Sequence, residues 1–466
     1  MRGLVRSALL AALAAPFMAW QPATAVGATH HHYKLIDLGT FGGPNSAYFS
    51  DPVVVSVNNR GVVVGGADTS MADPYAPYCF DDCHVMHAFQ WRDGVLSDLG
   101  ALPSGVDAAA LWINDRGLVM GFANNGLIDP LSGTPEQDAV VWKDGQIENL
   151  GTLGGNFSYA NAVNDDDEVV GFAYTAIPDP FSYLGLGTQA HAFRWYRGHM
   201  QDLGTLGGPD SWAAFVNERG QVVGWSYTDS TPNATTGVPT QHPFLWENGV
   251  MRDLSTLGGT LAVVASLDGG GGGAINNRGQ VVGTSYLKGD QTFHPFLWDR
   301  GVLTDLGTLG GDNGEAYWIN DAGQIVGRAD TSGSASHHAV LWDRGTMTDL
   351  GVATGFPCST AIDINQRGQV IIDTGICNVG GGPGLLWESG GPSIDLNSLL
   401  VPRSSLTVGD VNYINDRGEI AATGVLPDGD QHAILLVPCD DNHPGINGCD
   451  YSIVEASAAI LSHASP

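Results

Sequence analysis

Ile113-Asn114-Asp115-Arg116-Gly117-Leu118-Val119 is one copy of a segment that recurs along this chain. Each copy has an apolar residue, an Asn, a short polar turn that ends at Gly in every copy but one, and then an apolar strand. The repeated Asn residues are Asn58, Asn114, Asn164, Asn217, Asn276, Asn320, Asn365 and Asn415. Because they recur roughly every 50 residues, the pattern is typical of a propeller, a solenoid or an array. The repeat therefore decides the fold class before any local pattern does.

Each unit contains four short stretches with the composition of β-strands, for example residues 159–164, 221–224, 191–195 and 200–204. Gly, Asn or Asp bounds every stretch, which favours an all-β ring. The Asn-x-x-Gly turn joins the first two strands, and turns such as Asp93-Gly94 join the last two. We expect the Asn strand to be innermost, the strand ending in Asp-Leu-Gly to be outermost, and both tight turns to lie on one face.

The turn of the third unit departs from the pattern, since Asp167 stands where the other units have Gly. Asp tolerates a positive φ less well than Gly. We therefore predict that this turn is weaker or differently shaped.

The two ends of the chain complement each other. Residues 33–39 form a fourth strand that no first three precede, and residues 411–415, 419–423 and 432–437 form three strands without a fourth. This predicts an eight-bladed β-propeller closed by the N-terminal strand, which would remove open edges. A seven-bladed or irregular propeller is the alternative. We expect a signal peptide at 1–25, a single propeller of eight repeats at 26–438 and a C-terminal tail at 439–466.

Composition indicates an exported protein. Arg2 and Arg6 precede an apolar stretch at 9–20, and Ala23-Thr24-Ala25 is typical of a signal-peptide cleavage site. The apolar stretch is too short for a permanent membrane anchor. The formal net charge of −30 argues against binding of nucleic acid or of an anionic membrane. We expect a monomer, secreted to the extracellular space or periplasm, without membrane insertion.

The six cysteines form three close pairs in the sequence: Cys79 with Cys83, Cys358 with Cys377, and Cys439 with Cys449. An even number in an exported chain favours disulfides. Cys358 and Cys377 flank two strands joined by the Asn365 turn, and the ends of such a strand pair meet. We predict a bond within each pair. Zinc is not expected, because no second Cys pair follows at zinc-finger spacing.

Further motifs recur in register with the Asn turn. His-x-Phe-x-Trp begins at His87, His191, His242 and His294, and Asp-Leu-Gly-Thr-Leu-Gly-Gly spans 202–208 and 305–311. These motifs resemble the extracellular HAF repeat over nearly the whole mature chain. The pattern weakens at 138–142 and 383–387, where the His is missing, and the last unit has Leu436 instead of Trp. The resemblance implies a secreted bacterial β-propeller-like protein of unassigned role and brings no catalytic residues.

The repeated His and Trp residues are interpreted as structural, because one position repeated in every blade makes the same contact each time. No catalytic residue is predicted, since the chain has no nucleophile turn of the Gly-x-Ser-x-Gly type and no His-Glu-x-x-His zinc motif. No cofactor is expected. Calcium at residues 165–168 is the alternative, although this acidic run lacks the spacing and turn Gly of known calcium loops.

One set of residues points to binding. The connection from the second to the third strand is long in the first four units, and three of these loops carry Asp-Pro followed by an apolar residue. Long loops on a rigid scaffold are where binding tends to be placed. The predicted ligand-binding residues are Asp73, Tyr75, Tyr78, Asp129, Asp179, Phe181 and Tyr183. Decorated surface loops without a ligand are the alternative.

We therefore predict a binding or interaction module without enzymatic activity, with a carbohydrate or protein ligand on the long-loop face of blades 1–4. A carbohydrate-active enzyme, a glycosidase or lyase that uses carboxylates in the central channel, is one alternative. A structural protein of the envelope or matrix is another. Fold alone does not choose between them.

Overall fold

The structure is a computed structural model that describes residues 29–48, 54–79, 83–179, 185–264, 267, 273–388, 391–402 and 404–455. The predicted all-β class is confirmed, since Leu396–Leu399 is the one helix in this described part. No helix among the described residues is long and apolar enough to cross a bilayer. The predicted signal peptide lies outside these residues.

The strands form eight antiparallel groups, here called sheets 1 to 8, and each group has the order first, second, third, fourth strand. Sheets 4 and 5 are linked by one parallel pair, Gln241 with Leu261. The first four are as follows: sheet 1, Gly42–Ala47, Val63–Ala72, His84–Arg92 and Val95–Asp98; sheet 2, Ala108–Ile113, Val119–Ile128, Pro135–Lys143 and Gln146–Asn149; sheet 3, Gly154–Val163, Val169–Pro178, Thr188–Tyr196 and His199–Asp202; sheet 4, Ser211–Val216, Val222–Tyr227, Gln241–Glu247 and Val250–Asp253.

The second half of the chain repeats the pattern with one irregular member, sheet 7, which has a short extra strand at Gly380–Gly381. The groups are as follows: sheet 5, Gly258–Val264, Val281–Leu287, Phe293–Asp299 and Val302–Asp305; sheet 6, Gly310–Ile319, Ile325–Thr331, His337–Asp343 and Thr346–Gly351; sheet 7, Cys358–Ile364, Val370–Ile376, Leu385–Trp387 and Ile394–Asp395; sheet 8, Thr407–Ile414, Ile420–Val425, Gln431–Pro438 and the N-terminal strand Tyr33–Asp37. A separate ribbon pairs Thr29–His31 with Ile453–Glu455.

The N-terminal strand is the fourth strand of sheet 8. Tyr33 pairs with Pro438 and Asp37 with Ile434 in an antiparallel register. The pairing carries the same side-chain contact as the other sheets, because His432 Nδ1 lies 2.8 Å from Asp37 Oδ1. The first and last strands of the repeat region are thus hydrogen-bonded to each other.

The Asn side chain builds the turn between the first and second strands. Asn114 Oδ1 accepts hydrogen bonds from the backbone N–H of Arg116 and of Leu118, and Gly117 N–H bonds back to the Asn114 carbonyl. These bonds fix a turn whose fourth residue needs a positive φ, and Gly117 has a φ of 93°.

The turn of the third unit keeps the same shape, so the prediction of a differently shaped turn is wrong. Asp167 has a φ of 63° and donates its N–H to the Asn164 carbonyl, as the glycines do. Its carboxylate accepts hydrogen bonds from Asn114 Nδ2 and from Lys143 Nζ, at 3.0 and 2.7 Å. These bonds offset the strain of a positive φ at a residue other than Gly.

The repeated His residues each contact an Asp on the neighbouring fourth strand. The pairs lie 2.8–2.9 Å apart and are His87–Asp98, His191–Asp202, His242–Asp253, His294–Asp305, His338–Asp349 and His432–Asp37. Sheet 2 has no His at this place, and Asn149 Nδ2 there donates to Asp138 Oδ2 at 2.6 Å. These contacts give the repeated His a structural role.

The core lies between neighbouring sheets. The third-strand tryptophans are buried in six sheets: Trp91, Trp142, Trp195, Trp246, Trp298 and Trp342. Small first-strand residues such as Ala109, Ala160 and Ala213 are fully buried, which matches a crowded inner position.

Three disulfides staple the chain, with the pairing predicted from the sequence. Cys79–Cys83, Cys358–Cys377 and Cys439–Cys449 have Cα–Cα distances of 4.9, 5.1 and 5.4 Å. No free cysteine remains among the described residues.

Candidate functional site

Two circular series of hydrogen bonds join the eight Asn turns. In the inner series, each repeated Asn donates from its Nδ2 to the carbonyl of the next repeated Asn, over 2.8–3.1 Å. The last member, Asn415, donates to the carbonyl of Asn58 at 2.9 Å, so the series returns to its start. The eight Asn residues therefore hold the sheets to each other as well as shaping their own turns.

The residue after each Asn forms the second series, which we call the rim. Its members are Asn59, Asp115, Asp165, Glu218, Asn277, Asp321, Gln366 and Asp416. Each backbone N–H donates to a side-chain oxygen of the next member, over 2.7–3.0 Å, and Asp416 N–H donates to Asn59 Oδ1. Only residues with a side-chain oxygen can serve, and five of the eight are acids.

The rim surrounds a central cavity of about 190 Å³, which we call the cup. Four aromatic residues, each two places before a repeated Asn, lie against one another below the rim. Ring centroids are 5.3 Å apart for Trp112 and Phe215, 6.0 Å for Phe215 and Trp318, and 5.8 Å for Trp318 and Tyr413. We call these four residues the aromatic floor, since they line the cup.

The floor residues alternate with small or short ones. Units 2, 4, 6 and 8 carry the four aromatic residues, and units 1, 3, 5 and 7 carry Ser56, Ala162, Ala274 and Asp363 at the same place. In six of the sheets a β-bulge precedes this position, as between Ala110 and Trp112. A bulge re-aims the following side chain, which brings this one residue per unit to the centre.

Crowding of carboxylates changes the acidity of the rim. Desolvation and the charges of Asp165, Asp166 and Asp115 raise the pKa of Glu218 to about 7. Desolvation and neighbouring acids also raise the pKa values of Asp165 and Asp416. Deeper in the molecule, burial raises the pKa of Asp363 to about 8, although two backbone N–H groups bond to it. A site of this kind favours protons or other positive groups.

The three aspartates predicted to bind a ligand lie at equivalent places but are buried, each where its loop begins. Asp73, Asp129 and Asp179 donate their N–H groups to the carbonyls of Cys83, Thr134 and Gly187 on the far side of the loop. Asp73 Oδ1 accepts from Tyr75 N–H, and Asp129 Oδ1 accepts from Leu131 and Ser132 N–H. In the structure the side chains of Asp73 and Asp129 therefore shape their loops.

The predicted aromatic neighbours are only partly described. Tyr78 is exposed and Tyr75 is half-buried, at the tip of the sheet 1 loop. Burial and the charges of Asp107 and Asp73 raise the pKa of Tyr75. Phe181 and Tyr183 lie outside the described residues, so their predicted role stays a prediction.

Exposed apolar side chains mark the same loops. Met71, Leu127 and Ile177 lie at one equivalent position of the second strands and are 55, 60 and 50% exposed. Ile128 and Leu131 add to them in sheet 2. The corresponding positions in the other five sheets carry Ser230, Gly289, Gly333, Asn378 and Asp428. We call the loop-side exposed residues Met71, Tyr78, Leu127, Ile128, Leu131 and Ile177 the apolar arc.

A cleft of about 1220 Å³ lies between sheets 7 and 8, where the repeat is most irregular. Its walls include the glycines at 381–382, the segment 404–410 and Val425. Ile376 and Val379 are exposed close by. The predicted placement of the ligand on blades 1–4 did not anticipate this cleft.

The acidic run at 165–168, the candidate calcium loop, has side chains bound to four different partners. Asp165 accepts the backbone N–H of Asp115, Asp166 pairs with Arg116, Asp167 accepts from Lys143 and Glu168 pairs with Arg194. Within the described residues, no group made of carboxylates has the spacing of a metal site. The one group with that spacing is His337 with Cys358 and Cys377, and these two cysteines form a disulfide.

Reasoning from the sequence missed the rim and the aromatic floor. A signal was present, since every residue after a repeated Asn is an acid or amide and aromatic residues precede every second Asn by two places. The bulge that turns the aromatic residues inward leaves no mark in composition.

Comparison with known proteins gives weak similarities. No protein-family model matches the chain, and no curated protein matches it. The β-propeller domain of the trilobed protease from Pyrococcus furiosus is 9% identical with a TM-score of 0.41, over 74% of this chain and 95% of that one. An ulvan lyase of a polysaccharide lyase family is 9% identical with a TM-score of 0.37, over 86% and 96%. Trypanosoma rangeli sialidase is 10% identical with a TM-score of 0.32, over 63% and 55%. Similarities of this size carry no information on function.

Proposed function

We propose that this chain is an exported protein-binding module built as an eight-bladed β-propeller of HAF-type repeats. The pairing of the N-terminal strand with the last strand and the return of both hydrogen-bond series to the first unit support the closed eight-bladed ring. The disulfides and the acidic composition support export.

The apolar arc is the observation that carries the binding function. Exposed apolar groups scattered singly are ordinary, but a contiguous set at equivalent positions marks an interaction surface. Met71, Leu127 and Ile177 belong to three consecutive sheets, and the Gly187 backbone of the sheet 3 loop lies close to Leu131 of the sheet 2 loop. The loops of sheets 2 and 3 therefore adjoin, and the sheet 1 loop lies at the equivalent place of the preceding sheet.

The chemistry of the arc favours a protein partner over a carbohydrate. Its residues are mostly aliphatic, whereas sugar platforms use exposed aromatic faces. No Lys or Arg occurs in residues 61–91, 117–142 or 168–193, which hold the three loops. We infer a partner that presents apolar side chains with neutral or basic residues around them.

The proposal is tested with a displayed library of linear peptides selected against the whole mature protein. The triple variant M71S/L127S/I177S should bind the selected peptides at least about 10-fold more weakly, because it removes apolar contacts worth about 1 kcal/mol or more each. The matched control is V95S/V250S/V302S, which removes three equally exposed apolar residues from the turns on the opposite face.

Equal binding by both variants would contradict the placement on the arc. A parallel screen against polysaccharides, scored for retention and for cleavage products, addresses the alternative of a carbohydrate-active enzyme. If the screen detects cleavage products, and substitution of rim carboxylates abolishes them, the protein is a carbohydrate-active enzyme rather than a binding module.

A further inference from the structure

The cup on the face opposite the apolar arc has the composition of a cation site. We propose that it binds an organic cation, the ammonium or guanidinium end of an alkyl chain, such as a lysine or arginine side chain of a partner or a free alkylamine. This inference concerns a second site and does not depend on the apolar arc.

The aromatic floor supplies one half of the recognition. A cation within about 6 Å of an aromatic face is attracted by the ring quadrupole, and the attraction grows when water is excluded. Trp112 and Trp318 are 5 and 9% exposed and both line the cup. Gly273 leaves room for one of them, since a Cβ there would lie 2.3 Å from the Trp318 ring.

The rim supplies the other half. Asp165 and Glu218 each use one carboxylate oxygen to accept a backbone N–H, over 2.8 and 2.9 Å. Their second oxygens have no hydrogen-bond partner in the part of the chain that the structure describes. The cup is lined by both residues, so these oxygens are available to a bound group.

The floor also holds polar groups without a partner. The indole N–H groups of Trp112 and Trp318 and the hydroxyl of Tyr413 make no hydrogen bond to any described residue. More than nine-tenths of each of the two Trp residues is buried. Burial and nearby carboxylates, Asp363 first among them, raise the pKa of the Tyr413 hydroxyl and keep it protonated. A cation has no acceptor atom, so it would contact the faces of these rings rather than their N–H and O–H groups.

The protein's own cations do not fill the cup. An Arg follows the rim residue in six units, yet no Arg lines the cup in the described structure. Arg116 pairs instead with Asp166 at 2.9 Å, and Arg367 donates to the Arg417 carbonyl at 3.0 Å. The rim carboxylates therefore form no ion pair with an Arg in the described structure, although the charges of Arg116 and Arg60 act on Asp165.

An organic cation fits better than a divalent metal ion or a neutral sugar. Calcium takes six to eight oxygen ligands within about 2.6 Å, whereas one side of this cup is aromatic. A neutral sugar would leave the crowded carboxylates uncompensated. An alkylammonium or alkylguanidinium group places its charge at the carboxylates and its carbon chain on the rings.

The test is a calorimetric titration of the whole mature protein with n-butylguanidinium, with n-butylurea as the neutral compound of the same shape. The guanidinium should bind at least about 10-fold more tightly. A capped Gly-Arg-Gly peptide and spermidine, titrated in parallel, distinguish a partner's side chain from a free amine as the source of the cation. Binding of the guanidinium should be tighter at pH 8 than at pH 6, since Glu218, beside Asp115, Asp165 and Asp166, becomes ionised between them.

The chain itself offers a variant that should preserve the fold. Asn59, Asn277 and Gln366 already serve in the rim with amide oxygens, so D165N/E218Q keeps both backbone hydrogen bonds. It should lose guanidinium binding by at least about 10-fold with an unchanged melting temperature. The control D93N/D343N removes two acids that pair with Arg outside the cup.

Three results would overturn the proposal: equal binding of the urea and the guanidinium, guanidinium binding that D165N/E218Q does not weaken, or binding of calcium chloride alone at these residues with no binding of the organic cations. If D165N/E218Q does not fold, the single variant D165N is measured in the same way.

Discussion

At the scale of the residue, one position shows how Asp and Asn share a structural task. The side-chain oxygens of Asn45, Asp107, Asp210 and Asn313 each accept a backbone N–H from one of the first three residues of the third strand in a neighbouring sheet. Where the residue is Asp, burial raises its pKa to about 6, and the charge of Asp73 or Asp179 adds to the effect. An ionised acid at this buried position destabilises the folded state, whereas an amide does not.

The first prediction concerns Asp210→Asn. Asp210 is 1% exposed, and its folded pKa lies above the value of about 3.8 in the unfolded chain. Wild-type stability therefore falls as the pH rises from about 4 through 6, and the Asn variant escapes this loss. We expect the variant to raise the free energy of unfolding by about 1–3 kcal/mol at pH 8 and by little at pH 4, measured by denaturant unfolding.

The reverse substitution is the control. Asn313→Asp places an acid at the equivalent point of sheet 6, so it should destabilise the protein at pH 8 and recover at pH 4. A pH-independent effect of both variants would contradict the assignment of the effect to ionisation.

At the scale of the element, the His–Asp contact pins the third strand to the fourth. In sheet 2, Asp138 and Asn149 join the same two strands. Here the acid lies on the third strand and the donor on the fourth. Asn149 Oδ1 also accepts Gly151 N–H at 2.7 Å, as Asp202 Oδ1 accepts Gly204 N–H. Both kinds of sheet therefore have a contact between the third and fourth strands at this place, although the residues that make it differ.

The second prediction follows from that exchange. In sheet 3, His191→Asp alone places two acids opposite each other and should destabilise the protein by about 1–2 kcal/mol. Adding Asp202→Asn rebuilds the sheet 2 pair and should recover about 1 kcal/mol of it. A double-mutant cycle in urea measures the coupling, and additive effects would show that the two side chains do not depend on each other.

Sequence patterns predicted the strands better than the loops. The His, the Trp and the Asp of Asp-Leu-Gly recur in register, so the order of four strands is readable from their spacing. The contact of His191 with Asp202 is not readable, because it joins two residues whose pairing register depends on the turn at Arg197 and Gly198. The Asp-Pro loops suggested exposed carboxylates, but Asp side chains at loop starts bond to the backbone and become buried.

At the scale of the whole molecule, each unit is bound to the next by two bonds from one turn. The Asn donates to the carbonyl of the next Asn, and the rim residue donates to the side chain of the next rim residue. The same two bonds join the last unit to the first, over 2.9 Å each. The order of units could be predicted from the repeat, but the contents of the centre could not, because they depend on bulges in the first strands of six sheets.

The third prediction tests the closure. Deleting residues 26–40 removes the partner of Ile434–Pro438 and exposes the edge of sheet 8. We expect the truncated protein to self-associate, measured by light scattering after size-exclusion chromatography. A synthetic peptide of residues 29–40 added during refolding should restore the monomer, and a peptide with Leu35→Asp should not. A truncated protein that stays monomeric with an unchanged melting temperature would contradict the closure.

The alternation of large and small residues at the centre limits how a chain of this design can grow. Duplicating a single unit would place two aromatic residues, or two small ones, next to each other at the centre. Two aromatic residues would overpack the centre, and two small ones would leave a cavity. Adding or losing a small-then-large pair keeps the middle filled in the same way. The unit of duplication is therefore a pair of neighbouring repeats of about 100 residues. Related chains should differ in length by whole pairs of repeats.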